Sequence, residues 1–206
     1  MSIMMDIIFA SFLGGIITFI TLNANIIVKE AWATYNSEVM VQQMLISTAQ
    51  MVEIELRNMG CGVPNDGTQQ VITEARDTCI SFLMALRPEP QSSPIVIKYY
   101  SGHVNEIPDT ENPNDRFLYR QEAGKAPQRI GLITQFTLRY MGEFGELLPT
   151  PVTAQSDRIN IKIIEITMEV QAPFAAFLDP EDPEKRYASA LWKQTRLASQ
   201  NLERGQ

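Results

Sequence analysis

The hydrophobic positions of this chain change their spacing along its length, and the first change falls near residue 28. From Ile7 to Leu22 the sequence contains neither a charge nor a proline, and it continues through Asn23 and Asn25 without a charged residue. A helix that is apolar on every side is surrounded by lipid or by other protein. The run is long enough to cross a hydrocarbon core of about 30 Å. We therefore expect residues 1–28 to form a membrane-spanning or filament-core helix.

Residues 29–60 keep the helical pattern but confine their apolar positions to one face. The apolar positions recur every three or four residues, as in an amphipathic helix that lies on a sheet. Gly60 and Gly62 then provide a stop signal. An unbroken helix from Ser2 to Met59 would be about 85 Å long. The stripe consists of Val41, Met44, Leu45, Thr48, Met51, Val52, Leu56 and Met59.

Residues 61–206 have the pattern of a β domain. Short runs rich in aliphatic and aromatic residues, bounded by Pro, Gly, Asn or Asp, predict consecutive strands. Within 158–170 the inward phase shifts between Ile163 and Ile164, which indicates a bulge or a strand covered on both faces. We expect an α+β chain, with the long helix packed on an antiparallel β-meander head. The predicted strands are 79–84, 95–100, 116–120, an alternating run over 130–140, 158–170, and the first half of 189–202.

Composition narrows the possible partners. The 206 residues include 17 basic and 24 acidic side chains, a net charge of −7, with no basic cluster and no interleaving of basic and aromatic residues. Nucleic acid is therefore not an expected partner. One histidine, His103, and two cysteines are too few for a zinc site. The acidic loop 179–184 contains prolines but no glycine-centred ligand loop, which favours a solvated loop over a calcium site. We expect neither a metal nor a cofactor.

The carboxylates of the middle loops do not predict catalysis. No set of acid, base and nucleophile converges in the sequence. These carboxylates are Asp109, Glu111, Asp115 and Glu122.

Cys61 and Cys79 follow the helix and open the first clear strand, respectively. A bridge between them would close a loop of about seventeen residues and contribute on the order of 3 kcal/mol. The alternative is two separate, small, buried hydrophobic side chains. For a head outside the cytoplasm we expect the disulfide.

Two features of the apolar helix are candidates for assembly contacts. Asp6 either complements the dipole at the helix start or neutralises a buried positive charge, for which the N-terminal amine of a neighbouring copy is the obvious partner. Gly14 and Gly15 either loosen the helix and admit a close neighbour, or are simply the glycines common in membrane helices. Both alternatives remain open for each feature.

The combined pattern resembles type IV pilins, and most closely their larger minor pilins and minor pseudopilins. The acidic, apolar and arginine-containing run 49–62, which closes on a glycine, is similar to the helix end of those proteins. The run 133–140, a glycine-containing turn and then 158–163 resemble their central hairpin, and 200–202 is similar to their closing Arg-Asn-Leu. The likeness covers most of the chain.

Two features of the family are missing. The chain has no basic leader with cleavage after glycine, and the proline usually found about twenty-two residues into the mature helix is replaced by Asn23 and Asn25. A helix break is expected either there or at the glycine pair. If only Met1 is removed, Ser2 becomes the first residue and Asp6 the fifth, where the family has its acid. We expect the chain to be made in mature form.

The resemblance implies function by assembly. The expected role is a structural subunit of an extracellular filament, held in the cytoplasmic membrane by its helix before assembly. Its partners would be copies of itself, other pilin-like subunits and a membrane assembly platform. The alternative is a scarce membrane-anchored component that primes or caps a pilus or a type II secretion-like machine. An anchored enzyme is the third possibility, which the absence of a convergent catalytic set disfavours.

Overall fold

The structure is a computed structural model that describes residues 2–64, 70–85, 93–175 and 187–197. One helix, α1, runs from Ser2 to Arg57 and is followed by antiparallel β-sheets. The predicted α+β class is therefore confirmed. At about 1.5 Å per residue, the 56 residues of α1 form a rod roughly 84 Å long. The rod is continuous through Gly14 and Gly15 and through both asparagines, so neither expected break is present.

The two halves of α1 differ in burial. Residues 3–29 are exposed, whereas the predicted stripe begins to be buried at Val41. Met44 is partly buried and Met51 is 43% exposed, so Met51 lies at the edge of the stripe. Ala49 joins the buried face, which the pattern did not predict. The fully or nearly fully buried stripe residues are Val41, Leu45, Thr48, Val52, Leu56 and Met59.

The turn after α1 fixes the helix end on the head. Gly60 and Gly62 both have positive φ, 79° and 73°, which non-glycine residues rarely adopt. The Gly60 N–H donates to the Leu83 carbonyl at 2.8 Å, and a Cβ at Gly62 would collide with the Ala85 side chain. The predicted stop signal is confirmed, and the turn joins the helix end to the end of a strand.

The strands form two meanders rather than one. Sheet A has five strands in sequence order, and sheet B has three. Every neighbouring pair is antiparallel. Sheet A consists of β1 Ile72–Ala75, β2 Cys79–Met84, β3 Ile95–Ser101, β4 Arg116–Glu122 and β5 Gln128–Ile133, and sheet B of β6 Gln135–Met141, β7 Ile163–Gln171 and β8 Ser189–Leu197.

Two strand predictions require correction, and one strand was missed. The run 130–140 is not one strand, because the chain leaves sheet A at Thr134 and enters sheet B. Residues 158–162 are not part of a strand, because α2 (Gln155–Ile159) precedes β7. Strand β7 begins at Ile163, and its pairing with β8 shifts register between Ile164 and Ile166, which agrees with the irregularity expected there. Ile164, Glu165 and Ile166 are all buried, so both faces of the strand are covered at this point. Strand β1 is short and was not predicted.

The close approach of α1 to sheet A depends on a glycine. Gly131 lies in β5 opposite Thr48, a helix residue that is 3% exposed. A Cβ at Gly131 would overlap the Thr48 hydroxyl and methyl groups. The absence of a side chain at this position lets the helix rest directly on the sheet.

Gly131→Ala is therefore expected to destabilise the head by about 1–3 kcal/mol, because the helix must move away from β5. Urea unfolding of the detergent-solubilised chain measures the loss. Thr48→Ala should restore much of the stability in the double variant, since it removes the overlapping atoms. Equal losses in the single and double variants would show that the overlap is not the cause.

Candidate functional site: the unpartnered helix

The N-terminal half of α1 is an extended surface that no other described part of the chain covers. Its most apolar eighteen-residue stretch has a mean hydropathy of 2.2, and none of it is buried. Large apolar side chains project all round it, with exposures from 40% at Ile16 to 77% at Ile3. Monomeric soluble proteins rarely leave a contiguous apolar surface of this kind in water. The helix is long and apolar enough to cross a membrane.

Two threonines of this half are satisfied locally. The Thr18 hydroxyl donates to the Gly14 carbonyl and the Thr21 hydroxyl to the Ile17 carbonyl, both at 2.8 Å. Such bonds to the preceding turn leave neither threonine hydroxyl with a free donor facing outward. The threonines are thus compatible with surroundings that contain no water.

Asp6 is exposed on the first turns of this helix. Its carboxylate meets neither a hydrogen-bond donor nor a cation among residues 2–64, 70–85, 93–175 and 187–197. The backbone of Ser2 opens α1 about one turn earlier. The structure therefore places Asp6 where another molecule can reach it, and the described residues do not supply its partner.

Gly14 and Gly15 form a bare patch midway along the apolar half. A Cβ added to either glycine would meet nothing within 4 Å. The helix itself therefore does not require glycine at these positions, and neither residue has positive φ. The patch would let the backbone of a neighbouring helix approach closely.

The apolar half is followed by a boundary of charged and aromatic residues. Lys29 and Glu30 carry the first charges after Asp6, and Trp32 and Tyr35 are 63% and 60% exposed. At 100° per residue, Trp32 points to the opposite side of α1 from the buried stripe. Aromatic side chains with a polar atom are typical of the interface between a bilayer and water.

The predicted disulfide is absent from the structure, in which Cys61 and Cys79 are both free. The backbone explains why: the Cys61 carbonyl accepts from the Ala85 N–H at 2.7 Å, so Cys61 lies beyond the far end of β2 from Cys79. Six residues of strand span roughly 20 Å. A disulfide requires Cα atoms within about 7 Å.

The alternative prediction, a small buried hydrophobic side chain, agrees with Cys79, which is 7% exposed. Desolvation, followed by the charge of Glu74, raises the pKa of the Cys79 thiol to about 11. A thiol with that pKa is largely protonated at neutral pH and therefore a poor nucleophile. Cys61 is only partly buried, in the turn after the helix.

A charged cluster that the sequence did not reveal joins the helix to sheet A. Arg120 on β4 contacts Glu55 on α1 and Glu122 on its own strand, each at 2.8 Å. The Tyr99 hydroxyl donates to Glu55 at 2.5 Å. Burial and the hydrogen bond to Glu55 raise the pKa of Tyr99 well above its usual range, so it remains a donor. We call Glu55, Tyr99, Arg120 and Glu122 the helix clamp.

The sequence contains a weak indication of the helix clamp. Glu55 is three residues after Val52 and seven after Thr48, which places a carboxylate beside the apolar stripe. Arg120 shares the inward phase of Leu118 on β4. Two opposite charges at inward positions of separate elements are a reason to expect an ion pair.

Among the residues that the structure describes, no three His, Cys, Asp or Glu side chains are grouped as metal ligands. His103 caps the turn Val104–Glu106, where its Nδ1 accepts from the Asn105 N–H. Glu122 belongs to the helix clamp and Glu111 accepts from the Ala175 N–H. Glu111 and Glu122, two of the carboxylates named from the sequence, thus have separate roles.

Basic and aromatic side chains do interleave on sheet A, which the linear sequence did not show. Tyr100 and Tyr119 stack with ring centroids 5.1 Å apart, and the Arg129 guanidinium lies 4.4 Å from the Phe117 centroid. The nearby Lys98 is paired with Glu74 at 2.7 Å. Each cation therefore already has a partner within the head.

Asp115 is the one carboxylate in these loops that is buried without a hydrogen-bond partner among the described residues. It is 1% exposed, and both of its carboxylate oxygens are unpaired. Desolvation raises its pKa from 3.8 to about 6, and the nearby Thr110 hydroxyl only partly opposes the rise. The folded head therefore binds this proton more tightly than the unfolded chain does.

Because the pKa of Asp115 is higher in the folded head than in the unfolded chain, protonated Asp115 contributes its full stability below about pH 4. This contribution is lost as the pH rises through 6. A shift of this size corresponds to about 3 kcal/mol. Asp115→Asn removes the titration, so its stability relative to the wild type should rise by about that amount between pH 4 and pH 7. Urea unfolding at both pH values tests this prediction. A difference independent of pH would contradict it.

No protein-family model matches the chain, and the chain matches neither a curated protein nor a solved structure.

Proposed function

We propose that this chain is a structural subunit of an extracellular type IV pilus-like filament. It is held in the cytoplasmic membrane by residues 3–28 before assembly, and it polymerises through the same residues. One observation carries the proposal: a single continuous helix is buried by the head only from Val41 onward, while the apolar part before it has no cover in the chain. Lipid covers that part before assembly, and neighbouring helices cover it afterwards.

The length of the exposed part supports a membrane stage. Residues 3–28 extend about 39 Å at 1.5 Å per residue, which exceeds a hydrocarbon core of about 30 Å. Lys29, Trp32 and Tyr35 then lie at the water interface on the head side. This arrangement places the head outside the bilayer and leaves α1 unbroken between the two environments.

The change from lipid to helix contacts gives little net hydrophobic gain, because lipid tails are as apolar as the side chains they cover. Assembly must therefore be driven by close packing and by polar pairing. The bare patch at Gly14 and Gly15 allows close packing. Asp6 provides the pairing, with the N-terminal amine of the adjacent copy as its partner.

The abundance of the chain and its release by shearing distinguish a shaft subunit from a priming or capping component. A shaft subunit is plentiful and leaves the cell surface with the sheared fraction, whereas a priming or capping component is scarce and stays with the membrane. Quantitative immunoblotting of both fractions measures this. A chain present at high copy in the sheared fraction supports the shaft, and a scarce chain found only in the membrane overturns it.

A further inference from the structure

A rigid turn on sheet B presents an aromatic side chain to solvent. Phe144 is 92% exposed, at the tip of the turn 142–146 that we call the Phe144 turn. The Gly142 N–H donates to the Glu146 carbonyl at 2.9 Å, and the Phe144 N–H donates to the Glu146 carboxylate at 3.0 Å. Gly145 supplies the positive φ of 80°. The turn is thus fixed before any contact forms, which lowers the entropy lost on binding.

An apolar groove lies where α1 leaves the head. Its volume is about 270 Å³, which is below the range of about 300–1,000 Å³ of small-molecule pockets and suits one or two side chains. Phe174 at its edge is 58% exposed. We call this surface the stalk groove, and its lining includes Ala33, Ser37 and Met40 of α1 and Ala172, Phe174 and Ala175 after β7.

The Phe144 turn and the stalk groove lie at opposite ends of sheet B. The turn follows Met141, which pairs with Ile163 at the start of β7, while the groove follows Gln171 at the end of β7. Nine residues of strand separate the two ends by roughly 30 Å. The turn of one copy therefore cannot reach its own groove.

One pair of opposite charges lies beside the two surfaces, while the Glu111 carboxylate, which accepts from the Ala175 N–H, also borders the groove. Glu143 is exposed next to Phe144, and Lys29 is exposed one helical turn before Ala33, on the same stripe of α1 as the groove. Neither charge has an ion-pair partner within the described parts of the chain. Glu38 points to the other side of the helix, at 100° per residue, so it does not offset Lys29.

We propose that the Phe144 turn of one copy docks in the stalk groove of the next, with Glu143 beside Lys29. Two different surfaces then meet, so the contact is heterologous and continues as an open helical chain instead of closing as a dimer. This inference rests on the proposed function, since it names a head contact of the same filament. It adds to the helix packing a contact that fixes the spacing of successive heads.

Site-specific photo-cross-linking tests the contact directly. A photoreactive phenylalanine analogue replaces Phe144 in the full chain expressed in cells, and mass spectrometry identifies the cross-linked peptides. Cross-links to residues 33–40 or 172–175 of another copy are the expected result. Cross-links to other surfaces, to the same chain, or to no protein overturn the inference.

Substitutions then test whether the contact between the Phe144 turn and the stalk groove contributes to filament assembly. Phe144→Ala should reduce sheared filaments about tenfold or more, as expected for removal of a central aromatic anchor. Ile159→Ala removes another exposed apolar side chain, 58% exposed on α2, and should leave filament yield unchanged.

Exchanging the charges of Lys29 and Glu143 distinguishes loss of the contact from loss of folding. Lys29→Glu and Glu143→Lys should each lower filament yield, and the double variant should recover it because the pair is restored with opposite polarity. Normal filaments from Phe144→Ala would overturn this inference and leave the proposed function intact. If the wild-type chain forms no filaments, the proposed function falls, and the cross-linking result alone decides whether the contact exists.

Discussion

Asp6→Ala is expected to abolish filaments while the chain still inserts in the membrane and folds its head. Asp6 is exposed and far along α1 from the first buried helix residue, Val41, so its loss cannot disturb the head. In the proposed filament, the substitution would leave an N-terminal amine buried and unpaired in every subunit. Breaking a buried ion pair from one side costs about 3–5 kcal/mol. Repeated along the polymer, such a loss should stop growth.

Three measurements on this variant separate assembly from folding. Membrane fractionation reports insertion, resistance of the head to protease reports folding, and electron microscopy reports filaments. Asp6→Glu keeps the charge and should retain filaments at reduced yield, while Glu38→Ala removes another exposed carboxylate from the same helix and should have no effect. Normal filaments from Asp6→Ala would contradict the proposed pairing.

Arg120→Met is expected to be among the most destabilising single substitutions in the head. The side chain of Arg120 is 9% exposed, and its carboxylate partners Glu55 and Glu122 are 16% and 14% exposed. Without the guanidinium, Glu122 keeps Lys125 as its cation, but Glu55 keeps only the Tyr99 hydroxyl and becomes a mostly buried carboxylate with no cation beside it. A loss of about 3–5 kcal/mol is expected, measured as the free energy of unfolding in urea.

Arg57→Met is the matched control for this prediction. Arg57 pairs with Glu53 at 2.7 Å on the same helix, but its side chain is 54% exposed, so its loss should cost less than about 1 kcal/mol. Adding Glu55→Leu to Arg120→Met should recover part of the stability, because one unpaired carboxylate is removed. Equal effects of Arg120→Met and Arg57→Met would show that the helix clamp does not secure α1 to the head.

The pattern of apolar residues predicted α1 well because a rod of this length has a strong periodic signal. The one-sided stripe predicted where burial begins, and it is confirmed from Val41 to Met59 except at Met51, which is 43% exposed. Proline and charge were absent over residues 7–22, so nothing local opposed the helix. These features depend on residues close together in sequence.

The errors concern features that depend on contacts between distant residues. The run 130–140 alternates like one strand, yet the Thr134 N–H donates to the Glu169 carbonyl, and the chain there passes from one sheet to the other. The pairing of Cys61 with Ala85 separates the two cysteines, and no spacing rule predicts it. The helix clamp likewise joins residues 65 positions apart.

Some sequence predictions lie outside the described residues, namely the closing 200–202, the acidic loop 179–184 and Met1. The roles of Asp6 and of the glycine pair remain predictions, since both concern contacts with another copy.

Cryo-electron microscopy of material sheared from cells, with mass spectrometry of the N-terminus, is the decisive test of the proposed filament. We expect helical filaments of this chain, with residues 3–28 of neighbouring copies packed together in the core. In that core the Asp6 carboxylate should lie within about 4 Å of an adjacent N-terminal amine, the distance of an ion pair. Filaments that lack this chain, or a core from which residues 3–28 are excluded, would contradict the account.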